Sequence, residues 1–194
     1  TNKGDSVYIV DVNGDGISDI AFFDKTKTGL DCWYIILSTN KPSDLLTTID
    51  NGTGGNTQIT YDYASKSDNA SLPFPVYVAT KIDAIDMLPK DTPMETYTQN
   101  LSYAGGWFDA AEREFRGFQT ATVRDPISGN YTITTFHQGK FPQDGSFKGK
   151  IQKMEAYDKN DKVISRSLNL WKVKKSGPTD GIAFCYLDQT RNIV

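Results

Sequence analysis

The sequence predicts an all-β, mostly antiparallel protein, and three observations carry that expectation: period-two alternation, turn residues between short apolar runs, and no sustained helical stripe. At the N-terminus, "VYIV" and "ISDIAFF" are strand-like runs around a Gly- and Asp-rich loop, and "CWYIIL" follows as a third. The stretch "STNKPSDLLTTIDNGTGGNTQ" is rich in Ser, Thr, Asn and Gly, and we expect a junction there, giving domains over residues 1–42 and 43–194. In "TQITYDY", Ile59, Tyr61 and Tyr63 alternate with Gln58, Thr60 and Asp62, the pattern of a half-buried strand. The loop-like "ASKSDNASLPFP" separates it from the next strands. In "ETYTQNLSYAGG" the same device sets Tyr97, Leu101 and Tyr103 against Thr98, Asn100 and Ser102, and ends at Gly105-Gly106. Further β-rich runs are "FRGFQTATV", "YTITTF", "KVISRSLNLWKV" and "GIAFCYL", separated by the turn signals "DPISGN", "PQDGS" and "DKNDK". Strands joined in sequence by short turns pair as meanders.

Composition narrows the function classes. With 24 acidic against 21 basic residues and a net charge of −3, the chain of 194 residues has no basic stripe, so nucleic acid is not an expected partner. No apolar run approaches the roughly 18 residues a membrane-spanning helix needs, so direct membrane insertion is not expected either. The opening "TNKGDSVYIV" has no initiating Met and no leader pattern, which suggests a piece of a longer protein whose export signal lies elsewhere. Cys32 and Cys185 sit in apolar runs without a CxxC or Cys/His cluster; two buried free thiols are expected, with a disulfide as the alternative. The triplets starting at Asn51, Asn69, Asn100 and Asn130 match the glycosylation acceptor pattern and carry no weight in so Thr- and Asn-rich a chain.

The stretch "DVNGDGISD" demands a chemical account. Side-chain oxygens of Asp11, Asn13 and Asp15 on alternate residues, a turn at Gly16, a carbonyl at Ile17 and a further carboxylate at Asp19 are the donors a hard cation requires. Ca²⁺ is the expected ion, because it accepts six to eight oxygens at variable geometry. An EF-hand is excluded: it needs a bidentate Glu where this chain has Phe22, and helices where it has strand-like runs. The alternative is an acidic turn without an ion.

A DxNxDGxxD loop between apolar strands resembles the FG-GAP or VCBS-type repeat of β-propellers, over about the first 40 residues. Downstream, "LTTIDNGTGGNTQITYDY" resembles the segment after such propellers in the B component of insecticidal Tc toxin complexes (the TcdB middle/N-terminal type) and in SpvB-like proteins. The run "YAGGWFDAAEREFRGFQTATVRD" is similar to the most recognisable stretch of that family, carried here by Tyr103, Gly105, Gly106, Asp109, Arg113, Glu114, Phe115, Arg116, Gly117 and Phe118. Then "TTFHQG" and "GKIQKMEAYDKNDKVISRS" extend the likeness, the latter also resembling Tyr-Asp repeats of Rhs proteins at Tyr157 and Asp158; nothing after about Lys174 is matched. The resemblance implies a scaffold: an N-terminal propeller-blade-like piece, then a β shell around a separate toxic domain, secreted, with other domains or subunits of a toxin complex as partners. The oligomeric state is left open. An extracellular, calcium-stabilised carbohydrate-binding or adhesin module is the second hypothesis, favoured if aromatics such as Trp33, Trp107 and Trp171 form an exposed platform.

No catalytic residues are expected. Glu112 and Glu114 form an E-x-E pair, expected on one face of a strand, of the kind ADP-ribosyltransferases use, but the accompanying Arg and Ser-Thr-Ser strands are absent and pairing with Arg113 or Arg116 is the simpler role. His137 is the sole histidine, stands at the end of a β run, and has no GxSxG or reactive-Cys signature to serve. Finally, Phe115 and Phe118 are expected on opposite faces of one strand covered on both sides, with Gly117 admitting a neighbouring backbone.

Overall fold

A computed structural model of the chain describes residues 6–24, 32–39, 44–64, 69, 72–86, 95–140, 145–175 and 183–193. Among the described residues it is all-β, with antiparallel pairing throughout and a short 3-10 turn at Gly145–Phe147. Its contacts separate two units, Thr1–Leu46 with Phe74–Val76, and Thr47–Pro73 with Tyr77–Val194.

The first unit is a three-stranded sheet, β1 (Ser6–Val10), β2 (Asp19–Asp24) and β3 (Cys32–Ile36), in that order. Register places Tyr8, Ala21 and Ile35 across one row and Ile9, Ile20 and Ile36 across the next. Because neighbouring rows face opposite ways, apolar side chains occupy both faces: Tyr8, Trp33 and Ile35 on one, Val7, Ile9, Ile20, Tyr34 and Ile36 on the other, all exposed. Only Ala21 is a buried apolar residue of this sheet.

The second unit holds a nine-stranded sheet in which chain order is nearly spatial order. It runs through β4 (Thr48–Asp50), β5 (Gly55–Tyr63), β6 (Tyr77–Asp86), β7 (Thr96–Ala104), β10 (Thr120–Arg124), β11 (Tyr131–Phe136), β12 (Ile151–Tyr157), β13 (Val163–Lys175) and β14 (Ala183–Ile193). The expected alternation holds in β5, where Gln58 and Thr60 are exposed and Ile59, Tyr61 and Tyr63 half-buried. In β7 it holds for Leu101 and Tyr103 but not Tyr97, which is exposed. Register shifts at Thr60/Tyr61, Thr135/Phe136, Ala156/Tyr157 and Leu170/Trp171 bend the ribbon, as bulges do. The hairpins close on carboxylates: Asp125 accepts from the Ile127 amide (2.8 Å) and the Ser128 hydroxyl (2.6 Å), and Asp158 accepts from the Asn160 (2.8 Å) and Lys162 (2.9 Å) amides. The "PQDGS" signal lies largely outside the described residues.

Between β7 and β10 the chain leaves the sheet for a small ribbon, β8 (Phe108–Asp109) with β9 (Glu114–Phe115). This corrects the expected strand over "FRGFQTATV". Gly105 (φ 68°) and Gly117 (φ 78°) adopt left-handed conformations that interrupt pairing on either side of the excursion. A Cβ on Gly105 would also lie 2.8 Å from Gln119 Cβ. Phe118 therefore lies in irregular chain, and it packs edge-on against Phe115 (5.4 Å) and tilted against Tyr103 (5.1 Å); the two phenylalanines share a cluster rather than opposite faces.

The excursion is tied down by two buried amides. Asn69 donates to the Tyr103 (2.8 Å) and Ala64 (3.3 Å) carbonyls and accepts from the Gly106 amide (2.7 Å). Gln138 donates to the Gly105 (2.7 Å) and Gly117 (2.8 Å) carbonyls. The Gly105 and Gly117 carbonyls also accept from the Gln119 (3.2 Å) and Trp107 (3.1 Å) amides, so Gln138 adds a second partner to each, while Asn69 satisfies the Gly106 amide.

Candidate functional site

The N-terminal loop wraps around Asp11. Its Oδ1 accepts from the Gly14 (2.8 Å) and Asp15 (3.1 Å) amides, and its Oδ2 from the Gly16 amide (2.8 Å). Gly14 (φ 75°) and Gly16 (φ 82°) supply the left-handed backbone that lets three amides turn toward one carboxylate. Asp15 accepts from the Ile17 amide (2.8 Å) and the Asn13 side-chain amide (2.9 Å), so Asp11, Asn13 and Asp15 belong to one cluster. Asp19 stands apart at the start of β2, 1% exposed, accepting from the Ser38 (2.8 Å) and Val12 (3.0 Å) amides. Those bonds, Ser38 first and then Val12, hold its carboxyl below the usual range. Asp19 thus fastens the loop to the segment after β3, a role its position in the motif did not reveal.

All the donors are hard oxygens. A carboxylate offers about four acceptor positions, and backbone amides take three of them at Asp11, those of Gly14, Asp15 and Gly16, and three at Asp19, those of Ser38, Val12 and Asn13, so each keeps about one. The chemistry fits Ca²⁺, although among the described residues no three His, Cys, Asp or Glu side chains already converge on a point.

The E-x-E pair is divided. Glu112 lies in the turn between β8 and β9, where its amide donates to Asp109 (3.2 Å), while Glu114 lies in β9. Glu114 pairs with Lys148 and lies 3.3 Å from Arg116 Nε; Arg116, its side chain 9% exposed, donates from Nη2 to Asp109 (3.1 Å). Lys148 is the largest cause holding the Glu114 carboxyl below its ordinary range. Asp109, Glu114, Arg116 and Lys148 thus form a charge-balanced ion-pair network beside the 3-10 turn.

His137 stacks obliquely on Phe147 (5.5 Å) beside a cleft of about 280 Å³ lined also by Leu168, Leu170 and Trp171. Trp107 and Trp171 are half-buried beneath Lys140 (5.0 Å) and Lys150 (5.3 Å), while Trp33 is exposed beside Tyr8 (5.6 Å). Both cysteines are free thiols, and they are half-buried rather than buried, because neither sheet is fully covered by this chain. The Asn69 amide is saturated inside the fold, whereas Asn51, Asn100 and Asn130 are exposed. Among the described residues no helix is long and apolar enough to cross a membrane.

The sequence model of the insecticide toxin TcdB middle/N-terminal region matches residues 1–144. The chain belongs to this family. A TcdB-type fold is also what solved structures show. The chain matches "TcdB2-TccC3-Cdc42" with a TM-score of 0.76 at 18% identity, over 99% of this chain and 12% of that one. It matches "TcdB2-TccC3 without hypervariable C-terminal region" with 0.76 at 17% identity, over 99% and 12%. The Photorhabdus luminescens Tc holotoxin pore gives 0.74 at 16% identity, over 99% and 12%. The fold likeness thus extends through β14, beyond where the sequence motifs give out near Lys174. Among curated proteins no sequence matches.

Proposed function

We propose that this TcdB-type chain is a non-catalytic wall section of a secreted Tc toxin, in which the nine-stranded sheet forms part of a shell around a separate toxic domain and the three-stranded sheet is the edge of a propeller of FG-GAP/VCBS type. Its partners are then other domains of the same toxin and a TccC3-like subunit, and the strands after Tyr157 lead into Rhs-type repeats. The observation that carries this reading is incomplete coverage. The three-stranded sheet is apolar on both faces, which is the pattern of a sheet packed on both sides, yet both faces are exposed. The nine-stranded sheet ends on β14, whose Phe184, Tyr186, Leu187 and Ile193 are exposed as well. Patches of this kind mark contact surfaces.

Two sites on β12 test it. Met154 is exposed on one face, and Lys153, one residue away, points to the other. Single Met154→Cys and Lys153→Cys variants, labelled with a bulky maleimide in the assembled toxin, should differ strongly if one face lines an enclosed chamber. Equal labelling of both in the assembly contradicts a wall.

We further propose that Asp11, Asn13, Asp15, the Ile17 carbonyl and Asp19 bind Ca²⁺, with a dissociation constant on the order of 10⁻⁴ to 10⁻³ M, as in extracellular modules. What supports the reading is that the loop holds the hard-oxygen side chains of Asp11, Asn13 and Asp15 in one hydrogen-bonded turn. Calorimetric titration showing no heat with Ca²⁺, or equal binding of Mg²⁺, contradicts it.

A further inference from the structure

The chain contains two Asn-Gly steps, Asn13-Gly14 and Asn51-Gly52, and their surroundings differ in a way that bears on reactivity. In an Asn-Gly step the glycine nitrogen can attack the asparagine side-chain amide without a Cβ in its path, and such asparagines are the thermolabile ones. Asn51 is exposed in the loop closing the β4–β5 hairpin. Its Oδ1 accepts three hydrogen bonds, from the Gly55 amide (2.8 Å), the Thr53 amide (2.9 Å) and the Thr53 hydroxyl (3.1 Å). The bond from the Thr53 amide folds the side chain back over its own following peptide. The Gly52 amide donates to Asp50 Oδ1 at 2.7 Å, and nothing stands within 4 Å of where a Gly52 Cβ would be. Beside the loop, an open cleft of about 460 Å³ lined by Asn51, Gly54, Gly55, Asp86 and Glu95 admits water. At Asn13 the arrangement is different: Oδ1 accepts only the Asp15 amide (3.1 Å), and the side-chain nitrogen is bound to the Asp15 carboxylate (2.9 Å).

We propose that Asn51 is a self-modifying residue, converted in the folded protein to aspartate and isoaspartate through a cyclic imide with Gly52. The Gly52 nitrogen attacks Asn51 Cγ, forming a C–N bond, while its proton passes to the Asp50 carboxylate. The carbonyl electron pair moves onto Oδ1, where the three donors face the developing charge as an oxyanion hole does. Collapse expels the side-chain nitrogen, which takes the proton and leaves as ammonia. Water then opens the imide at either carbonyl, so the net change is one water consumed and one ammonia released. Isoaspartate would lengthen the main chain within the loop that the Asn51 amide closes onto the Gly55 carbonyl (3.0 Å), and either product adds a negative charge beside Asp86 and Glu95.

The test is peptide mapping by mass spectrometry of the intact protein, aged at physiological pH in ¹⁸O water with EDTA present so that the N-terminal loop carries no metal. Asn51 should convert at least about tenfold faster than Asn13 in the folded state, inside the roughly 10²–10³ that one oxyanion-hole donor can contribute, and the two rates should draw level in guanidinium. Thr53→Ala should slow Asn51 alone, and Thr53→Ser, which keeps the hydroxyl, should restore the rate. Equal rates in the folded protein, a ratio that survives unfolding, or a Thr53→Ala rate matching the wild type overturns the proposal.

Discussion

The two sheets of this chain solve the same problem to different degrees. The nine-stranded sheet carries its own means of closure: bulges that bend it, carboxylate-capped hairpins, and the buried amides of Asn69 and Gln138 that hold the one excursion from the meander. The three-stranded sheet has one buried carboxylate, Asp19, one buried alanine, and apolar rows exposed on both faces. Folding information for the first is largely internal, whereas the second, on the reading proposed here, is completed by neighbours. The family model covers the three-stranded sheet and the larger one as far as β11.

The largest expected effect separates the two sheets directly. Asn69→Ala leaves the Tyr103 carbonyl and Gly106 amide without their partner, and should cost about 3 kcal/mol in denaturant titration of the nine-stranded unit, from roughly 1–3 kcal/mol per stranded buried group. Probes in the three-stranded unit should not move. A loss spread equally over both would erase the distinction.

Calcium sharpens it from the other side. If the loop binds Ca²⁺ as proposed, about a hundredfold excess over the dissociation constant should stabilise by roughly 2.7 kcal/mol through mass action, and hydrogen exchange should report it in β1 to β3 while the larger sheet stays constant. Phe118→Ala should cost about 2 kcal/mol, below the usual 3–5 for phenylalanine because the ring is half-buried.

Acid acts on both units. Asp19 is held low by the Ser38 and Val12 amides, and Glu155, 4% exposed, by Lys153 and then Arg166. A carboxyl depressed in the fold contributes stability that is complete above its unfolded value, about 4, and is lost as pH falls through the folded one. Melting temperatures should therefore be flat near neutrality and decline below about pH 4. Asp19→Asn should flatten the decline only in the three-stranded unit. The smallest effect is expected for Lys148→Ala, whose pairing with Glu114 is exposed on both sides.

Much of this was legible in the sequence because strand alternation and turn chemistry are local. Ile59, Tyr61 and Tyr63 declare their strand, and Asp125 and Asp158 their hairpins, within a few residues. Tyr97 misled, since its alternation is that of a buried row while its ring is exposed. The excursion over residues 105–119 was illegible for a physical reason: "REFRGF" has strand propensity, and what overrides it is positive φ at Gly105 and Gly117 together with amides reaching 37 and 33 residues along the chain. Asn69 looked like a chance glycosylation triplet, and only its neighbours in space reveal a strut. The spacing of "DVNGDGISD" puts Asp11, Asn13 and Asp15 in one loop, where they hydrogen-bond to one another and to the loop's amides, but it could not show that Asp19 also accepts from the distant Ser38 amide.

The central claim, that this chain is a wall section completed by its surroundings, is tested most directly by a density map of the assembled toxin that carries it. The account predicts a further strand paired to β14 and both faces of β1 to β3 covered by neighbouring sheets. A map in which β14 is a free edge and either face of the three-stranded sheet meets solvent would contradict it.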